Sequence, residues 1–299
     1  MPEGDTIFRA ASTLHRALAG QRVTQFSSVF PKLTRVEEDS GVVGRSVESV
    51  EARGKWLLMH FSGGLILLTH MLMNGSWHIY RPGERWKRRR DDMRIVIGTP
   101  KMIAVAFTIQ VAEFHNAASL ARRRVFNQLG PSLLGEEFDV PGAAARLRLQ
   151  GDAEVGSALL RQSVVAGIGN VYKSEVCFAC GVNPFRRVSS LSVVEMAGLM
   201  AAARKFLQMN VAPGSGDRIV TYTGMRRTTR RADPAEALWV YARKGDPCRK
   251  CGAPIESHKQ GIDARITFWC PVCQPAAGEA EEKSMAAKGA PRDEPRGKP

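Results

Sequence analysis

Four cysteines near the C-terminus restrict the fold of this chain more than any other feature: Cys248-x2-Cys251-x18-Cys270-x2-Cys273. Two thiolate pairs separated by a stretch of this length suit one tetrahedral zinc ion in a structural ribbon. A site closed by four sulfurs leaves no open coordination position, so the metal is expected to organise the module and to take no part in a reaction. The competing reading is a set of free or disulfide-bonded cysteines. Paired cysteines in a basic chain that opens Pro-Glu-Gly-Asp, with no visible secretory signal, favour metal over disulfides. Cys177-x2-Cys180 repeats the spacing inside a helical pattern with no second pair nearby, and it reads as helix packing.

The remainder divides by its periodicities. Ile7, Ala10, Ala11, Leu14, Ala17 and Leu18 recur at helical spacing and stop at Gly20, with Asp5 or Thr6 as the expected N-cap. Short strands are then expected at Arg22–Phe26, Val42–Glu51, Lys55–Phe61, Leu65–Met71, Ser76–Tyr80, Asp92–Ile97, Met102–Phe107 and Gln110–Phe114, a spacing typical of a sandwich or barrel. Gly130-Pro131-Ser132 breaks the run, and Gly135 to Pro141 looks like a linker. Helices follow at Ala143–Leu149, Ala158–Val165, Val171–Cys180 and Ser192–Asn210. The expected domains are residues 1–132, a linker at 133–146, residues 147–234, the cysteine module at 235–274 and a disordered tail at 275–299.

The formal charge is +14, and the tail's five acidic and five basic residues cancel, so the rest of the chain carries the whole excess. That charge points to a polyanion, nucleic acid before an anionic membrane surface. Basic clusters at Arg85–Arg90, Arg122–Arg124 and Arg226–Arg231 make a surface that follows phosphates. No run is apolar and long enough to span a bilayer, so a cytoplasmic chain is expected, nucleoid-associated in a bacterium. Within this frame certain residues carry chemistry. Once Met1 is removed, Pro2 becomes a secondary amine able to attack an electrophilic carbon and collapse to an iminium, and Glu3 beside it can move protons. At a helix start the dipole disfavours an ammonium and keeps amine neutral. Gly167-Ile168-Gly169-Asn170 sits between two helices, where glycine N–H groups and Asn170 suit a phosphate or simply a tight corner. Lys55 at a strand mouth is either a surface charge or a functional group, a phosphate contact or a proton carrier near Pro2. Leu72 and Met73, just before Asn74-Gly75, are either strand core or a wedge for the gap left by an extruded base.

Together these motifs resemble the formamidopyrimidine-DNA glycosylase and endonuclease VIII superfamily, from Pro2 to Gln274. The family's Pro-Glu start appears as Pro2-Glu3, its Arg-Gly-Lys as Arg53-Gly54-Lys55, and its helix–two-turn–helix signature as Gly167 to Tyr172 followed by Ser174-Glu175. The lead-in to its zinc finger resembles Val240 to Gly245, and its second knuckle resembles Arg265 to Pro271. The resemblance implies an α+β multidomain chain: an N-terminal β-sandwich with an N-terminal helix, a helical helix–two-turn–helix domain and a C-terminal β-hairpin zinc finger. It also implies a bifunctional DNA glycosylase and AP lyase of base-excision repair, acting as a monomer on damaged double-stranded DNA with one structural zinc. Pro2 would form the covalent imine and Glu3 would move protons. Lys55, Asn170 and Arg265 would grip the phosphates round the flipped nucleotide, and Leu72 and Met73 would fill the void. The Pro-Glu-Gly opening and Trp77 lean toward the endonuclease VIII branch and oxidised pyrimidines, whereas Met73 leans toward the formamidopyrimidine branch. Asp5-Thr6 departs from the family's usual second Pro-Glu pair, and the loop from Gly214 to Gly224 does not match the oxidised-guanine capping loop. The competing readings are the same chemistry on oxidised purines and a zinc-ribbon DNA-binding protein without catalysis.

Overall fold

The computed structural model describes residues 2–212, 219–222 and 237–276. Arg226–Arg231, most of the loop from Gly214 to Gly224, and residues 277–299 of the expected tail lie outside them. The described residues fall into two compact units. One is drawn from residues 1–143, 161–169 and 203–219, and the other from 144–160, 170–202 and 220–299.

The first unit carries, in chain order, α1 (Gly4–Leu18), β1 (Gln25–Ser28), α2 (Pro31–Ser40), β2 (Val47–Arg53), β3 (Trp56–Phe61), β4 (Leu65–His70), β5 (Ser76–Tyr80), β6 (Met93–Gly98), β7 (Ile103–Phe107), β8 (Val111–His115), α3 (Ala117–Ala121) and α4 (Arg124–Asn127). The strands form two antiparallel four-stranded sheets, ordered β1-β6-β7-β5 and β2-β3-β4-β8. Strand alternation sorts the side chains. Leu57, Met59 and Phe61 of β3, Leu67 of β4 and Ala104 and Ala106 of β7 join one buried core with Ile7, Leu14 and Leu18 of α1. Full burial of each such leucine contributes about 1.5–3 kcal/mol. The opposite faces are covered locally: Leu58 and Leu68 by Leu120 and Phe126, and Val105 and Phe107 by Trp86.

Helix α1 starts two to three residues earlier than a cap at Asp5 or Thr6 implies. Glu3 is the cap residue and no side chain caps the helix, so Asp5 and Thr6 lie in the first turn and not at the cap. Helix α2 was not legible, because it buries a single side chain, Leu33. It is held by Pro31 in its first turn and by Glu37, which accepts the N–H groups of Val42 and Val43. Those bonds also delay the strand expected from Val42 until Val47.

The second unit contains α6 (Val155–Leu159) and α7 (Asn170–Ala179), together with the ribbon strands β9 (Glu256–Gln260) and β10 (Arg265–Trp269); α5 (Val140–Arg148) and α8 (Val193–Val211) complete the helices. Residues 170–178 of α7 are all buried. Lys173 Nζ donates to Thr267 Oγ1 at 2.6 Å, Thr267 Oγ1 to Gln260 Oε1 at 2.7 Å, and Gln260 Nε2 to the Pro184 carbonyl at 2.8 Å. These bonds satisfy the polar groups that α7 and the ribbon bury together. The helix expected over Ala158–Val165 ends at Leu159. Beyond it Gln162, in the first unit, braces a turn: its Nε2 donates to the Ile168 carbonyl and its Oε1 accepts from Gly167 N.

Candidate active site

Pro2 is half-buried and Glu3 is fully buried at the start of α1. Glu3 Oε2 accepts the Gly169 N–H at 2.8 Å, and Gly4 N donates to the Gly167 carbonyl at 2.9 Å. Only glycines permit this approach. A Cβ on Gly169 would lie 2.4 Å from Glu3 Cδ, and one on Gly4 would lie 2.7 Å from Gly167 Cα. Gly167 itself sits at φ +115°, a conformation that L side chains rarely adopt. The expected phosphate cradle is therefore corrected for Gly169, whose N–H is given to the Glu3 carboxylate. Asp5, which the sequence left without a role, is fully buried with its Oδ2 3.2 Å from Arg9 Nη2, and Arg9 Nη1 donates to the Asn210 carbonyl. Burial raises the Asp5 pKa although Arg9 opposes the shift.

Lys55 is not in a strand but in the two-residue turn between β2 and β3, after Gly54 at φ +62°. Burial, and next the Lys55 charge, hold the His70 imidazole below its ordinary 6.5. Neutral His70 accepts the Leu72 N–H at its Nδ1, 3.0 Å away, and meets Trp56 edge-on at 4.7 Å. Leu72 is left at φ +50°, a conformation that costs a non-glycine residue energy. The turn is closed by Gly75 N to the Met71 carbonyl at 2.8 Å and by Thr108 Oγ1 to the Asn74 carbonyl at 2.7 Å. Met71 is core, while Leu72 is 38% and Met73 54% exposed, so adjacent apolar side chains face outward from a braced turn.

In the second unit, Asn170 opens α7. Its Nδ2 donates to the Ile266 carbonyl at 2.9 Å, and its buried Oδ1 has no hydrogen-bond partner. Ile266 adjoins Arg265, which is exposed on β10. The thiols of Cys248, Cys251, Cys270 and Cys273 lie within 4.8 Å of one another. None is in a disulfide, and Cys177 and Cys180 sit apart on or beside α7. Backbone N–H groups of Lys250 and Cys273 point at the sulfurs of Cys248 and Cys270, each at 3.4 Å. This cluster can hold a metal ion.

Residues 1–110 match the formamidopyrimidine-DNA glycosylase N-terminal domain, and residues 129–221 match the formamidopyrimidine-DNA glycosylase H2TH domain. The "Probable endonuclease 8 2" of Streptomyces coelicolor is 39% identical over 277 residues, covering 92% of this chain and 94% of that one. The chain belongs to the formamidopyrimidine-DNA glycosylase family. Within it, the chain lies on the endonuclease VIII branch and is a DNA glycosylase and AP lyase of base-excision repair, which removes the non-catalytic reading. The Mycolicibacterium smegmatis "DNA-(apurinic or apyrimidinic site) lyase Nei2" is 34% identical, over 93% of this chain and 100% of that one. The Escherichia coli "Endonuclease 8" is 29% identical, over 92% and 100%. Crystal structures of the Lactococcus lactis glycosylase share the fold. One, with DNA containing an abasic site, has TM-score 0.75 at 20% identity, and another, with DNA containing an oxidised pyrimidine, has 0.76 at 21%; each covers 92% of this chain and 100% of the other.

The sequence brought the four cysteines together by spacing, but the groups that brace the turns at Leu72 and Gly167 were not singled out in it. His70 carried a signal, a histidine ending an apolar strand beside Arg-Gly-Lys in the hairpin register. Gln162 carried none, because a polar residue inside a helical pattern announces no partner.

Proposed function

We infer that this glycosylase removes oxidised pyrimidines from double-stranded DNA through a Schiff base on Pro2 and then opens the strand by β,δ-elimination. The observation that carries the reading is Glu3, a carboxylate buried beside the Pro2 amine and fixed by the Gly169 N–H. With Met1 removed, the Pro2 nitrogen attacks C1′ of the damaged nucleotide. The bond from C1′ to the base breaks, the base leaves with a proton, and the C1′–O4′ bond then breaks as the nitrogen lone pair closes to an iminium, with O4′ taking a proton. Glu3 delivers and collects protons as the sugar opens. Loss of protons next to the iminium then drives elimination of the 3′ and next the 5′ phosphate, and water releases the sugar fragment from Pro2. The Gly169 N–H and the burial of the side chain hold Glu3 in place beside the amine.

Lys55, Asn170 and Arg265 are assigned to the phosphates flanking the extruded nucleotide. The exposure of Arg265 and the place of Asn170 at the first turn of α7, where backbone N–H groups face outward, support that assignment. Leu72 and Met73 are assigned to the void; extrusion costs a few kcal/mol, and their braced, outward turn lowers what must be ordered on binding. One zinc ion is assigned to Cys248, Cys251, Cys270 and Cys273. Sulfur separations of 3.9 Å (Cys248–Cys273) and 3.4 Å (Cys251–Cys270) bracket the edge of about 3.8 Å that Zn–S bonds of about 2.3 Å give a tetrahedron. Such an ion supplies folding energy to the ribbon and no chemistry to the reaction. The domains are taken as residues 1–132, a linker at 133–146, 147–234 and 235–274, in a monomer acting in the cytoplasm.

Borohydride should trap a covalent adduct on duplexes carrying an abasic site or 5-hydroxyuracil, with Met1 shown to be absent by mass spectrometry. No adduct from the Met1-free protein overturns the mechanism. Competing turnover of 5-hydroxyuracil, thymine glycol and 8-oxoguanine sets the base preference, and a faster 8-oxoguanine reaction overturns the pyrimidine assignment.

A further inference from the structure

The β5–β6 connection is a built surface that the chemistry above does not use. Strands β5 and β6 both pair antiparallel with β7, one on each side, so they run parallel to each other. A parallel pair needs a long crossover, and residues 81–92 supply it across the outer face of the sheet. The crossover is pinned there. Trp86 packs 5.7 Å from Phe107 and 6.4 Å from Tyr80, Lys87 N donates to Tyr80 Oη at 3.1 Å, and the Arg90 guanidinium lies over the Trp86 ring at 5.6 Å. Its side chains curl round a hollow lined by residues 83–90. Arg85, Lys87, Arg88, Arg89 and Arg90 are all exposed. Among the described residues, the ion pair of this loop is the surface pair Arg89–Asp91, and Arg85, Lys87 and Arg88 make none. After burial, the charges of Arg88 and then Lys87 are what hold His78 on β5 below its ordinary 6.5, so their field reaches the sheet beneath.

The far end of the crossover is tied to the outward turn. Asp92 gives its carbonyl to Thr108 N at 2.7 Å, and Thr108 Oγ1 donates to Asn74, the residue after Met73, at 2.7 Å. Arg88 is four residues from that contact, a reach of at most about 14 Å of chain. At about 3.4 Å of helix rise per base pair, this is about four base pairs of duplex.

We propose that the crossover at residues 85–90 is a second phosphate-binding arm, which takes the sugar-phosphate backbone of the duplex on the flank of the site probed by Leu72 and Met73, at a reach from the Asp92 contact of about four base pairs for Arg88 and about seven for Arg85. This rests on the reading of the chain as acting on duplex DNA, and it adds a contact that the lesion-gripping residues do not supply. Trp86 and Arg90 hold the loop ready, so little ordering is needed on binding. Arg85, Lys87 and Arg88 displace counterions, which gives affinity without base preference.

The test compares the wild type with a combined R85A/K87A/R88A variant, which leaves Trp86 and Arg90 in place, and with Arg88→Gln alone as the milder change. Affinity is measured on a non-cleavable abasic-analogue duplex across salt. Three lost phosphate contacts should reduce the log–log slope by about 2.7, at about 0.9 each, and Arg88→Gln should reduce it by about 0.9. Single-turnover trapping at saturating enzyme should stay within about twofold of wild type, because the arm positions DNA and does not touch the reacting sugar. Shortening the duplex on the side that the arm covers should erase the difference between variant and wild type. An unchanged slope overturns the proposal, as does a difference that survives shortening on both sides, which would mean that the loop alters affinity without touching the flanking backbone. If the wild type traps no adduct, the Schiff-base reading fails, while the slopes still report on the loop.

Discussion

Removing the carboxylate of Glu175 should cost the second unit several kcal/mol. This side chain is fully buried on α7 and accepts from Trp239 N at 2.8 Å, Val240 N at 2.9 Å, Tyr241 N at 2.8 Å and the Thr221 hydroxyl. In Glu175→Ala three backbone donors and a hydroxyl lose their acceptor inside the protein. At about 1–3 kcal/mol for each stranded donor, the three N–H groups alone give about 3–9 kcal/mol, and water entering the vacated space moves the result toward the lower end. That is a large part of the roughly 5–15 kcal/mol that holds a protein of this kind together. Glu175→Gln is the sharper version, because it keeps the shape but turns one oxygen into an NH2 that faces donors, at a cost of about 2–4 kcal/mol. The three N–H groups open the segment that leads to Cys248, so the ribbon should loosen with them. The assay is urea unfolding together with release of metal to a chromogenic chelator. A Gln variant with an unchanged midpoint and unchanged metal release would refute the reasoning.

Three further outcomes follow from the geometry. Gly169→Ala should push Glu3 aside, since the new Cβ would lie 2.4 Å from its Cδ, and turnover should fall by about 100-fold with far-UV circular dichroism unchanged; near-normal turnover contradicts the packing argument. His70 has a folded pKa below its ordinary 6.5, so its contribution is complete above that pH and is lost as pH falls toward the lowered folded value. The difference in Tm between wild type and His70→Gln should therefore shrink from pH 7.5 to 5.5, and a difference independent of pH counts against it. Asp5 has its pKa raised by burial, so the stability tied to its protonated form is present below 3.8 and lost as pH rises through the folded value. Asp5→Asn should flatten that slope in a pH series of thermal melts, and an unaltered slope would show that Arg9 fully compensates the charge.

Much of this architecture was legible because its signals are local. Ser76–Tyr80 was read to its ends, since the strand lies between Gly75 and Pro82 and packs on both faces. The four cysteines announced their own cluster by spacing. Pro2-Glu3 was legible as chemistry but not as geometry, because the partner of Glu3 is Gly169, far along the chain. The same distance in sequence hid the Arg9–Asn210 and Glu175–Trp239 bonds. Helix α2 was lost for a different reason: it rests on Leu33 and side-chain bonds to the following loop, and periodicity cannot register either. The turn at Leu72 shows the limit most clearly. Its positive φ depends on an imidazole nitrogen two residues back, whose protonation state depends in turn on burial and on Lys55.

The bond between Gly4 and Gly167 has a consequence for how this enzyme can be altered. Each of the two positions is already the smallest residue available, so a side chain gained at one cannot be accommodated by trimming the other. In a saturation library both should tolerate nothing but glycine, even when varied as a pair.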